Sequence, residues 1–155
     1  MKSHYLDYIV ISLIVSFSIV CILLPFIEFK VNFETIDLGY YCVHRESHDY
    51  FIQTQQEWDE LWQKTYWSSS ETPDIDFSSN IVIAVYMGER ATGGYRIEIT
   101  KISEGVAHRR IYIRETRPSP SDVVTFALTQ PYHIVKLSRN FKFIEFIHTY
   151  EVHSS

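Results

Sequence analysis

Cysteine is nearly absent: Cys21 and Cys42 are the only two in 155 residues. Cys21 falls inside a long apolar run and Cys42 beyond it, so a bond between them is not expected. With no CxxC pair either, a disulfide-stapled fold is excluded, and cysteine usage leaves the redox compartment unread. Basic blocks are missing too. The chain carries 14 Lys and Arg against 19 Asp and Glu, a net charge of −5. A weakly acidic chain without a basic cluster makes a poor partner for nucleic acid. No phosphate-binding loop, dinucleotide fingerprint, HExxH or GxSxG motif occurs. No internal repeat and no long disordered tract is visible.

Aromatic residues, by contrast, make up 15% of the chain, with 11 Tyr, 10 Phe and 3 Trp. Together with many Ile and Val they favour strands over helices. Near the start, residues 9–27 run for 19 positions without a formal charge. As a helix they would reach about 28 Å, close to a hydrocarbon core of about 30 Å. The run is too long for the core of a signal peptide, and no small-x-small cleavage site follows it. It is therefore expected to be an uncleaved signal-anchor, giving a single-pass membrane protein with its domain outside the cytoplasm. The expected organisation is an anchor over residues 1–30, a connector over 31–39 and one domain over 40–155.

Within that domain, residues 40–47 and 50–54 read as two strands around a turn at His48 and Asp49. Thr54 followed by Glu57 is a capping box. Trp58, Leu61, Trp62, Thr65 and Tyr66 recur at helical spacing, which predicts a helix ending near Trp67 with both tryptophans buried. Residues 80–87 are continuously apolar, as a central strand buried on both faces would be. Tyr95, Ile97 and Ile99 alternate with polar residues, as do Ile111 and Ile113, and the two segments read as a hairpin. Residues 123–128 read as a further strand. Residues 132–137 and 141–150 read as a last hairpin. The expected fold class is α+β: a mainly antiparallel sandwich or roll with one packed helix, preceded by one transmembrane helix.

Chemistry is sparse. Cys42, His44 and His48 lie close enough to suggest a metal set, but surface histidines on a β hairpin are far commoner, and no metal is expected. Asp74 and Asp76 read as turn residues beside Pro73. No catalytic residue and no cofactor is expected. The segment that stands out is residues 88–95, Gly-Glu-Arg-Ala-Thr-Gly-Gly-Tyr. It joins the most apolar strand to a clean amphipathic one. Two readings stay open. It is a hairpin bend with Tyr95 in the core, or Arg90, Thr92, Gly93, Gly94 and Tyr95 present a surface to a partner. In the second reading Arg90→Ala leaves stability unchanged.

Thr92-Gly93-Gly94-Tyr95 after an apolar strand, with Gly88 and Arg90 before it, resembles the C-terminal domain of PrcB, a subunit associated with a bacterial protease complex. Glu57-Trp58 with Leu61-Trp62, Asp76-Phe77, Pro118 and Gln130-Pro131-Tyr132 fall in the family's order, so the resemblance spans about residues 50–137. Ala91 departs from the pattern, standing where a proline is expected. The resemblance implies a non-catalytic domain that binds another protein, a protease or protease subunit, as an accessory or stabilising component. The same loop is similar to one in chagasin-like cysteine-protease inhibitors, which makes inhibition the alternative. A small-molecule or metal-binding extracytoplasmic domain is a more distant one.

Overall fold

The computed structural model describes residues 2–23, 27–66, 71–140 and 142–153, with side chains left undescribed for 2–7 and 21–23. The elements are α1 (Lys2–Leu23), β1 (Phe29–Val31), β2 (Phe33–Gly39), β3 (Ser47–Ile52), α2 (Gln55–Thr65), β4 (Asn80–Met87), β5 (Arg96–Glu104), β6 (His108–Arg117), β7 (Tyr132–Ser138) and β8 (Phe143–Val152). The described chain is thus β-rich with two helices.

The strands form two four-stranded sheets, ordered β1-β5-β6-β8 and β2-β7-β4-β3. β4 shows why they stack. Its odd residues Ile81, Ile83, Val85 and Met87 join Ile97, Ile99, Ile102, Ile111 and Ile113 in the core between the sheets. Its even residues Val82, Ala84 and Tyr86 meet Trp58, Leu61 and Trp62 of α2 on the opposite face. A strand covered on both sides has no polar position to spare, hence the unbroken apolar run. α2, one sheet and the other sheet therefore make three layers.

α2 begins as the sequence indicates. Glu57 N–H donates to the Thr54 hydroxyl, and the Glu57 carboxylate accepts from Thr54 N–H, completing the box. It ends at Thr65 with Tyr66 as its cap; Trp67 lies outside the described residues. Trp58 is fully buried, and its indole N–H donates to Pro73 O at 2.9 Å.

Several expectations are corrected. Among the described residues no helix is long and apolar enough to cross a membrane. The transmembrane helix and the single-pass membrane localisation are overturned accordingly. Residues 31–39, read as a connector, and 29–30, read as the end of the anchor, pair into both sheets, β1 against β5 and β2 against β7. His48 and Asp49 lie within β3 and not in a turn.

The last two strands do not form a hairpin either. β7 is buried on both faces from Tyr132 to Val135 and must sit inside its sheet, between β2 and β4. β8 crosses to the other sheet and runs parallel to β6. Arg109 braces the crossing, its guanidinium donating to Ser138 O and to Glu104. Residues 123–128 form no strand. They follow Pro118 and Pro120 and remain a loop, joined to the sandwich through the Arg90–Thr129 bridge.

Candidate functional site

Three connections meet at one end of the sandwich: residues 40–46, 88–95 and 118–131. The middle one begins at Gly88, where φ is +78° and a Cβ would lie 2.9 Å from Ser47 N, so glycine is required. Arg90 then pairs with Thr129 in both directions, N–H to O at 2.8 Å and 2.9 Å. The Thr129 hydroxyl donates to Thr92 O, and Gly93 N–H donates to Thr125 O. Gly94 has φ +86°, and a Cβ there would lie 2.9 Å from Pro118 Cβ. Gln130 N–H donates to Tyr40 O, and Glu89 N–H donates to Arg45 O, which fastens the first loop to the other two. The loop end is therefore preorganised by its own backbone.

The five residues singled out in sequence divide. Gly93, Gly94 and Tyr95 border a cleft of about 350 Å³, together with Tyr40, Tyr41 and Thr125. Tyr95 also packs its ring against the inter-sheet core. Thr92 and Arg90 serve the loop instead. The Arg90 guanidinium donates to Met87 O at 2.8 Å and lies 5.7 Å from the centre of the Tyr95 ring. Its Nε is buried. Arg90 thus clamps the end of β4, contrary to the expectation that its removal leaves stability unchanged.

What sequence reasoning missed is the apolar rim. Val123 and Phe126 are 103% and 97% exposed, as open as in an unfolded chain. Leu128 and Tyr41 are also exposed, at 55% and 65%. Val123 and Phe126 lie on a loop held by backbone bonds on either side of Phe126, Gly93 N–H to Thr125 O and the Arg90–Thr129 pair. The one available signal is an apolar segment directly after a two-proline loop, a pattern that reads as a strand.

The imagined metal ligands are used otherwise. Cys42 Sγ lies 3.4 Å from His44 O, and burial pushes its thiol up to about 11. His44 Nε2 bonds Tyr50 Oη at 2.8 Å, and its ring stacks on Tyr86. Burial lowers its pKa. His48 is exposed and tilts over Tyr50. Among the described residues no group of three His, Cys, Asp or Glu is placed to hold a metal. Asp76 accepts from Ser78 and Ser79 at the turn before β4, and those bonds hold its carboxyl below the ordinary range. Beneath α2, Tyr66 and Tyr132 both donate to the Asp37 carboxylate. Burial, foremost, raises both phenols, so they stay neutral.

Fold and site together define a class: a β-sandwich, capped by one helix, that presents an ordered, apolar set of loops at one end. Residues 81–138, from β4 through β7, match the family model described as PrcB C-terminal, which shows the resemblance read from the sequence. The matched stretch contains the 88–95 loop and the whole 118–131 loop. No curated protein and no solved structure matches the chain.

Proposed function

We propose that this domain is a non-catalytic protein-binding module, an accessory or stabilising component of a protease complex, that grips its partner with the loop end of the sandwich. The observation that carries the reading is the pair Val123 and Phe126, fully in water at 103% and 97% on a loop fastened to residues 90–93. Anchors of this kind gain most from burial in a partner's pocket, and because the backbone is already ordered, little entropy is lost on docking. The family match supports a PrcB-like domain, and the protease partner extends that reading.

The test is capture of a protease or protease subunit from cells by the whole chain, compared with Phe126→Ala. The expected outcome is at least a tenfold loss of partner affinity with an unchanged melting midpoint. Equal capture by both proteins would remove Phe126 from the interface and the reading with it. The arrangement of three loops at one end of a sandwich favours a second reading, a chagasin-like inhibitor that inserts those loops into a cysteine-protease cleft. Inhibition of a papain-type enzyme by the chain, lost in Phe126→Ala, would select it.

A further inference from the structure

The sheet edge at β8 is independent of the loop end. β8 is the outermost strand of its sheet, beside β6, and its register is unbroken over the ten residues of Phe143–Val152. Phe143 N–H donates to Ala107 O at one end, and His153 N–H donates to Arg117 O at the other. In a parallel ladder alternate residues carry the bonds to a given neighbour. The odd-numbered residues therefore serve β6, and residues 144, 146, 148, 150 and 152 turn their N–H and C=O toward the free edge.

Sheet edges are ordinarily protected by shortness, bulges, proline or lysine. β1 has only three residues, and β2 has a register shift between Thr35 and Asp37. β3 has six residues. β8 has none of these protections. Its inward-facing charge, His148, is already paired with Asp49 and Glu115.

We propose that β8 pairs with β8 of a second copy of this chain, antiparallel about a two-fold axis at Ile147, joining two four-stranded sheets into one continuous sheet. The strand's own residues select that axis. Bonds across the new edge can join only even residues to even residues. A fully overlapping two-fold pair then has its axis at residue 147 or at 148. An axis at 148 sets Glu145 opposite Glu151 twice, and like charges directly opposite destabilise a sheet. An axis at 147 sets Glu145 opposite Thr149, Phe143 opposite Glu151 and Ile147 opposite its own counterpart. On the inner face it sets Ile144 opposite Tyr150 and Phe146 opposite His148, aromatic and branched pairs of the kind that stabilise sheets. The contact is self-complementary, as closed two-fold symmetry requires. It also covers Phe143 and Tyr150, which are 75% and 63% exposed in the single chain.

The experiment uses the full chain. In the proposed register the two copies of residue 147 form a non-hydrogen-bonded pair with Cα atoms about 4.5 Å apart, within disulfide reach. Ile147→Cys is expected to give, on mild oxidation, a covalent dimer whose bond maps by mass spectrometry to residue 147 of both copies. Tyr150→Pro removes an N–H that β6 does not use. It is expected to melt like the parent protein and to lose the dimer in sedimentation. Thr149→Pro removes an N–H that β6 does use, and its melting midpoint should fall. Amides 144, 146, 148, 150 and 152 should gain exchange protection with rising protein concentration. A bond mapping between residue 147 and a Thr149→Cys copy in preference to 147 with 147 overturns the register. Association that survives Tyr150→Pro, or amides that stay unprotected at every concentration, overturns the pairing. So does protection that appears only when a foreign alternating Thr/Val peptide is added.

Discussion

At the scale of single residues, Arg90 and Phe126 exchange the roles that composition suggests. The arginine, a residue type common in interfaces, is half-buried and fastens the end of β4 through Met87 O. The phenylalanine, a core residue by type, stands in water. Arg90→Ala is therefore expected to cost about 1–3 kcal/mol, the range for a charge-assisted bond whose buried acceptor is left unpaired. Thermal unfolding checks this; an unchanged midpoint would return Arg90 to the list of surface residues. Gly94→Val should be at least as harmful, since φ of +86° and contact with Pro118 leave no room for a branched side chain.

At the scale of elements, α2 and the sheet beneath it share one aromatic layer: Trp58, Trp62 and Tyr66 pack in sequence at tilted angles, with adjacent ring centres 5.1 Å and 4.1 Å apart. Trp58→Ala empties a fully enclosed site and also strands Pro73 O. Its expected cost is about 3–5 kcal/mol, enough to unfold a marginal domain. Chemical denaturation would show it, and a loss below about 1 kcal/mol would mean that the layer collapses to fill the space. The second element-scale device joins the two sheets at their edges. His148 of β8 bonds Glu115 of β6 through Nδ1 and Asp49 of β3 through Nε2, both at 2.8 Å. With a carboxylate on each nitrogen the ring is suited to be an imidazolium. Burial works against that charge, but the bonds and charges of Asp49 and Glu115 outweigh it, and the pKa is raised.

At the scale of the whole molecule, two histidines give the fold opposite pH responses. His133 of β7 accepts from Ile99 N–H at Nδ1 and meets the Thr35 hydroxyl at Nε2. The Ile99 amide is available because the β5–β6 register shifts between Ile99 and Lys101. Burial pushes His133 down to about 4. Its folded form is neutral while the unfolded chain protonates near pH 6.5, so its contribution is complete above about pH 6.5 and falls as pH drops toward 4. His148 has the opposite sign. Its contribution is complete below about pH 6.5 and is lost as pH rises through its elevated folded value. Stability against pH should therefore pass through a maximum. His148→Gln is expected to flatten the alkaline side and leave the acid side; His133→Gln should flatten the acid side. Urea midpoints measured from pH 4 to 9 test both, and an alkaline limb that persists in His148→Gln would remove the clasp as its cause.

The sequence by itself determined what depends on near neighbours. The Thr54–Glu57 box, the face of α2 that carries both tryptophans, the doubly buried β4 and the β5–β6 hairpin all follow from periodicity and short-range hydrogen bonding. The loop at 88–95 was marked by its glycines, two of which, Gly88 and Gly94, have positive φ. Only the tertiary structure decided which strand pairs with which. The apolar patterns of β7 and β8 say that faces are buried, not against what, and two strands separated by only four residues went to different sheets. Nor could apolar content place residues 123–128 or 9–27. Hydropathy records a preference to avoid water, whereas exposure depends on what else the fold brings near. Val123 and Phe126 remain in water on a loop that follows Pro118 and Pro120 and lies in neither sheet.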